Sequence, residues 1–344
     1  MKIVFHLAEA LIAVWTLTSN TSLAETVLNG AGATFPALVY SKWIDEYHKL
    51  HPDIQVNYQA IGSGGGIRQF LEGTVDFGAS DGPLNDSQMA TYKDGRGFEA
   101  LHFPTVLGAD VPVYNLPGIS EELNFTPEVL AGIFLGKITK WNDPELVKAN
   151  PKVSLPSADI MVVHRSDGSG TTYIWTDYLS KINEEWSRRV GKGTSVAWPV
   201  GLSARGNDGV SALIEKTSHS LSYVELSYAI RNRLAYGRVR NSSGTWMKAD
   251  VSTISAAASE AAKTMPKGFR VSIVDPPGKD AYPISSFTWL LIPAKVSDSR
   301  KREAMVGLLK WILTDGQTQA AALSYAPLPK EVVQRELSMI SNVQ

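Results

Sequence analysis

Gly30-Ala31-Gly32-Ala33-Thr34-Phe35-Pro36 stands where a strand hands over to a helix, and the architecture can be worked out from that position. Behind Pro36, a residue suited to a first helical turn, Val39, Trp43, Tyr47 and Leu50 recur at helical spacing. Beyond them Ile54, Val56, Tyr58 and Ala60 alternate with polar residues, the period-2 signature of a strand. The order repeats. Ile160 to Val163 is a short apolar run, Tyr173 to Leu179 reads as a helix, and Val271 to Val274 and Phe287 to Ile292 are further apolar runs. A last helix carries Val306, Leu309 and Leu313. Repeated strand–loop–helix order predicts an α/β fold with mostly parallel strands.

Glycine marks further handovers at Gly62-Ser63-Gly64-Gly65-Gly66, Gly168-Ser169-Gly170-Thr171 and Gly206-Asn207-Asp208-Gly209. In open α/β sheets such loops lie at the carboxyl ends of strands, where ligands bind. The first N–H groups of each following helix lack an intrahelical partner, and the helix dipole adds partial positive charge. Small residues let an anion approach the backbone, and Thr34, Ser63, Ser169 and Thr171 add hydroxyl donors. One such loop is an ordinary turn; four in one chain point to an anion cage built mostly from neutral dipoles. Arg165, four residues before Ser169, supplies a guanidinium fork that Asp167 can orient.

Composition agrees with that design. The chain has 344 residues, 44% hydrophobic and 19% charged, which excludes a disordered or fibrous protein. At about 150 residues per domain, the length predicts two domains. Lys plus Arg is 33 against 34 Asp plus Glu, so no basic excess favours nucleic acid. Cysteine is absent, which removes disulfides, thiolate metal sites, thiol catalysis and a lipid-modified N-terminal Cys. Lys2, an apolar stretch from Leu7 to Leu17 and Ser22-Leu23-Ala24 read as a secretory signal over residues 1–24. The uninterrupted apolar run Ala10 to Trp15 is far shorter than the roughly 20 residues a membrane span needs. The expected location is a periplasm.

Other chemistries find weaker support. Gly78-Ala79-Ser80-Asp81-Gly82 fits the G-x-S-x-G pattern of a serine hydrolase, with His219 as a distant base. Pro83-Leu84-Asn85-Asp86 delays the helix that such an elbow requires. His48 and His51 lack a third ligand nearby, so no metal is expected, and no P-loop occurs. Neither a cofactor nor an enzymatic activity is expected.

In order along the chain, Gly30 to Pro36, Ile61-Gly62-Ser63, Val75 to Asp81, Gly136-Lys137-Ile138, Trp141-Asn142-Asp143, Arg165 to Thr171, Gly206 to Gly209 and Tyr223-Val224-Glu225 resemble the substrate-binding proteins of phosphate-specific ABC transporters, the PstS family. The resemblance runs from about Thr26 to beyond Leu328. It implies a two-lobed, type II (Venus-flytrap) periplasmic binding protein. One lobe would hold residues 25–108 and 281–344, the other residues 109–280. It implies phosphate bound in the cleft by Thr34, Phe35 (through its N–H), Ser63, Asp81, Arg165, Ser169, Gly170 (through its N–H) and Thr171. It also implies a monomer that serves an inner-membrane permease and its ATPase. Gly64 stands where many relatives have Ser, and His164 occupies a variable position. Asp81 carries a physical argument: phosphate keeps a proton near neutrality, which a carboxylate can accept, whereas sulfate has none. Another tetrahedral oxyanion is the nearest alternative ligand.

Overall fold

The protein is described from a computed structural model covering residues 25–344. The predicted signal, residues 1–24, lies outside the described residues.

One continuous sheet joins the two lobes. Its strands lie in the order Ile54–Ala60, Thr26–Gly32, Phe77–Ser80, Ser285–Pro293, Ala100–Asn115, Ser220–Glu225, Met161–Arg165, Leu202–Ala204. Parallel pairing holds at both flanks, but the three central pairings are antiparallel, so the expectation of mostly parallel strands needs correction. Two of these come from the late strand Ser285–Pro293, which inserts between Phe77–Ser80 and Ala100–Asn115 and runs against both, and the third is the pairing of Ala100–Asn115 with Ser220–Glu225. The 16-residue strand Ala100–Asn115 pairs with Ser285–Pro293 as far as Ala109 and with Ser220–Glu225 from Asp110 onward. The long strand thus changes partner between Ala109 and Asp110, within one continuous run.

Each predicted handover is a real one. The helices Ala37–Leu50, Ser63–Glu72, Gly170–Ile182 and Gly206–Lys216 each follow a strand through one of the four glycine clusters. Val39, Trp43 and Tyr47 are buried as their spacing requires, while Leu50, at the helix end, is 62% exposed. Ser169 caps its helix by accepting from the Thr172 N–H at 3.0 Å. Gly62 has φ of +93°, and a Cβ there would fall 2.4 Å from the Asp167 carboxylate, so glycine is required on both counts.

Val271 to Val274 forms no strand. Its polar groups are used elsewhere: the Val274 carbonyl accepts from Lys181 Nζ at 2.6 Å and the Ser272 hydroxyl donates to Asp177 at 2.5 Å. Phe269 and Asp275 on either side have φ of 56° and 49°, which breaks extended backbone. Around the sheet, Trp43, Trp141, Trp175, Trp186 and Trp289 are fully buried core residues.

Candidate functional site

The four helix starts converge where the lobes meet. Thr34 is buried; its hydroxyl accepts from the Asn207 amide at 2.9 Å and its carbonyl from the Tyr228 hydroxyl at 2.7 Å. The Phe35 carbonyl accepts from the Tyr325 hydroxyl at 2.6 Å. Among the described residues, the N–H groups of Phe35, Gly170 and Thr171 meet no protein acceptor, as donors for an anion require. The Asn207 amide also donates to Thr171 Oγ1 at 3.1 Å, tying the Thr34 loop to the Thr171 helix.

Arg165 ends the strand Met161–Arg165 and is 3% exposed. It is the one buried Lys or Arg among the described residues, and not a surface ion pair. Its Nε donates to Asp167 Oδ1 at 2.8 Å and its Nη2 to Oδ2 at 2.5 Å, while Nη1 reaches Thr171 Oγ1 at 3.4 Å. Burial pushes the Asp167 carboxyl up, but the guanidinium and the Gly206 N–H, at 3.0 Å, more than offset it and hold it below its ordinary value. The pair is fixed by two parallel bonds, the geometry that planar guanidinium favours.

Asp81 is 1% exposed. The Thr288 hydroxyl donates to its Oδ1 at 2.7 Å and the Ser63 hydroxyl to its Oδ2 at 3.3 Å. Burial raises its pKa to about 7, against the lowering influence of Thr288, Arg165 and Ser63. It caps no helix, since Asn85 is the cap of the helix Asp86–Arg96. A Cβ on Gly170 would sit 2.2 Å from Asp81 Oδ2 and 2.4 Å from Ser63 Oγ, so the second lobe's backbone lies directly against the first lobe's carboxylate.

All eight predicted residues are therefore buried in one region. Thr288 and Asn207 join them as residues whose roles were not foreseen. Asn207 lay inside a noted glycine motif, so a signal existed; Thr288 lay in an apolar run and gave none. A register shift between Thr288 and Trp289 against the long strand marks a bulge next to Thr288, the device that commonly re-aims a side chain near a site. Gly64 marks a close contact between loops: its N–H donates to the Gly168 carbonyl at 2.8 Å, and a Cβ would come 2.9 Å from the Gly168 Cα. His164 stacks on Trp198 with ring centres 4.9 Å apart. Beside the site opens a cleft of about 700 Å³, lined by Gly82, Tyr173, Lys192 and Arg270 among others.

The other motifs are accounted for locally. Ser80 is fully buried with its hydroxyl donating to the Gly82 carbonyl at 2.5 Å, and His219 sits at the start of the strand Ser220–Glu225. That end of the strand pairs with Asn115, five residues beyond Asp110 and away from Ser80, so His219 is not placed as its base. His48 Nδ1 lies 2.9 Å from the Ile54 carbonyl, and no group of three metal-ligating side chains occurs among the described residues.

A two-lobed sheet with paired helix starts at the join defines a periplasmic-type binding protein, and residues 19–315 match the PBP superfamily domain. Phosphate-binding protein PstS of Xylella fastidiosa (strain Temecula1) is 42% identical over 309 residues, covering 90% of this chain and 83% of the relative. PstS of Haemophilus influenzae is 40% identical, over 89% and 90% of the two chains. The chain belongs to the PstS family of this superfamily. In fold it is similar to a high-affinity periplasmic phosphate-binding protein (PfluDING) solved with phosphate, at TM-score 0.73 and 20% identity over 91% and 93% of the chains. A phosphate-binding protein from Stenotrophomonas maltophilia matches at TM-score 0.68 and 19% identity, over 91% and 93%.

Proposed function

We propose that this chain traps inorganic phosphate between its lobes in the periplasm and delivers it, as a monomer, to an ABC permease and its ATPase. It binds the ion without transforming it. The lobes are residues 25–108 with 281–344, and residues 109–280. Across that division run the bonds from Asn207 and Tyr228 to Thr34 and from Gly64 to Gly168, which supports a closed arrangement. Thr34, Phe35, Ser63 and Asp81 contribute from the first lobe, and Arg165, Ser169, Gly170 and Thr171 from the second. Closure on the ligand follows, since the donor set is complete only when the lobes meet. Among the described residues no helix is long and apolar enough to cross a membrane.

The observation that carries the reading is Asp81, a buried carboxyl facing donors in a site otherwise suited to an anion. A carboxylate there accepts the hydrogen that phosphate retains; against sulfate it presents lone pairs and like charge. A site requiring one specific hydrogen bond discriminates by about 10⁴ against an analogue that lacks it. Titration calorimetry at pH 8 with phosphate and sulfate measures the ratio. We expect Asp81→Ala to bring the two affinities to within about 100-fold of each other by losing that bond and its repulsion. Equal binding of both anions by the unmodified protein would overturn the reading.

A further inference from the structure

Two buried carboxyl groups outside the contact set lie where the chain crosses between lobes. Asp110 is the first residue of the long strand to pair with Ser220–Glu225, and its direct partner there is Glu225. Residues opposite each other in an antiparallel pair project to the same face. Both are fully buried. Neither Asp110 oxygen has a hydrogen-bond partner, and neither has Glu225 Oε1. Only Glu225 Oε2 is served, by the Ser227 N–H at 2.9 Å and the Ser227 hydroxyl.

The surroundings offer these oxygens little compensation: Arg165 is the one cation that bears on Asp110, and Glu225 has the first turn of the helix Leu226–Arg231, which it caps. Asp81 and Arg165 are the charged groups that face them. Arg165 already spends two of its N–H groups on Asp167. Of the neighbouring phenols, Tyr325 alone helps to lower the Glu225 pKa, and each has its main partner elsewhere. Tyr282 donates to the Asp110 carbonyl, Tyr228 to the Thr34 carbonyl and Tyr325 to the Phe35 carbonyl, and Tyr223 bonds the Thr172 hydroxyl. An ionised carboxyl buried with few donors is strongly disfavoured. The pair is tied to the site through Asn207, whose Oδ1 accepts from the Glu225 N–H at 3.2 Å and whose amide donates to Thr34 and Thr171, so an anion held there adds repulsion.

We propose that Asp110 and Glu225 are a specificity-determining pair for the phosphate site: both must carry protons for the closed cleft to hold an anion, so binding takes up protons and the pair limits the negative charge accepted. The inference rests on the phosphate reading above. Burial pushes the Asp110 carboxyl well above its usual range and the Glu225 carboxyl up to about 8, with Asp81 adding to both. A bound anion raises these values further. The complex then holds more protons than the free protein, and affinity is lost as pH rises through about 8.

The test is calorimetric binding of inorganic phosphate at pH 8 in two buffers of different ionisation enthalpy, on the unmodified protein and on Glu225→Gln and Asp110→Asn. Subtracting the variants removes the protons exchanged by phosphate itself and by Asp81. With the Glu225 carboxyl pushed up to about 8, the unmodified protein should take up more protons than Glu225→Gln, by at most one. Its affinity should fall by up to about tenfold per pH unit above 8 relative to that variant. At pH 6, where the pair is protonated throughout, all three proteins should bind phosphate alike. Should the variants not fold, infrared difference spectra of the unmodified protein at pH 8.5 supply the same answer, as a protonated-carboxyl band gained on phosphate addition. Equal proton uptake in protein and variants, or no such band, overturns the pair's role. Absence of phosphate binding at pH 6 overturns the phosphate reading itself.

Discussion

Arg165 and Asp81 face the same site under opposite conditions. Arg165 is locked to Asp167 by two bonds, and its charge is balanced before any ligand arrives. Asp81 has only two hydroxyl donors, and burial brings its pKa to about 7, near the point where it exchanges its proton. On the proposed reading, one side offers a pre-oriented guanidinium, with Nη1 beside Thr171 Oγ1, to whichever anion enters. The other side reads whether that anion still has a hydrogen. Affinity on that reading rests mainly on Arg165 and selectivity mainly on Asp81, coupled only through the lowering influence of the guanidinium on the carboxyl.

The largest expected effect separates them most directly. Arg165→Ala should weaken phosphate and sulfate together by about 10²-fold, since charged hydrogen bonds contribute about 1.5–3 kcal/mol. Measured at pH 9, where Asp81 stays a carboxylate even without the lowering influence of Arg165, the phosphate-to-sulfate ratio should stay unchanged. The variant should also lose about 3 kcal/mol of folding stability, because Asp167, with its side chain 11% exposed, is left without its cation. Calorimetry with both anions and urea unfolding check the two halves. A changed ratio would show that the two sides do not act separately.

A smaller effect tests the Asp81 side by pH alone. Its protonated fraction grows as pH falls through about 7, and a protonated carboxyl donates where a carboxylate could only repel. Sulfate affinity should then rise by up to about tenfold per pH unit below 7 in the unmodified protein, and stay flat in Asp81→Asn. Sulfate titrations between pH 5 and pH 8 distinguish the two. A flat profile in both would remove the titration of Asp81 from the selectivity mechanism.

What could be read in the sequence was chemistry confined to short stretches. Gly168 to Thr171 with Arg165 and Asp167 lie within seven residues of one another, so their cooperation follows from local spacing. The helix starts followed for the same reason. Pairings set by the sheet could not be read in this way. Thr288 reaches Asp81 across 207 residues of chain, from inside an apolar run whose periodicity indicates only burial. Asp110 and Glu225 become neighbours through the register of two antiparallel strands, which alternation alone does not specify. The central antiparallel pairings were missed because strand direction leaves no mark on composition, neither for the inserted Ser285–Pro293 nor for Ser220–Glu225 beside the long strand.

Thr288 gives the finest test of the contrast between the two sides. Its hydroxyl donates to Asp81 Oδ1 at 2.7 Å and counts among the influences that lower the carboxyl's pKa. Valine has nearly the same shape without the donor, so Thr288→Val should preserve packing while the carboxyl titrates higher. At neutral pH a smaller fraction of the protein then has the carboxylate that accepts phosphate's hydrogen. Phosphate affinity should fall about three- to tenfold, the weight of one hydrogen bond of about 1 kcal/mol. The deficit should vanish by pH 9 as the carboxylate is restored, while an Arg165 variant would keep most of its deficit there, having lost a ligand donor as well as an influence on Asp81. Phosphate titrations of Thr288→Val at pH 7 and pH 9 resolve the two patterns. A deficit independent of pH would mean that Thr288 positions the ligand instead of holding Asp81 in its proton-accepting form.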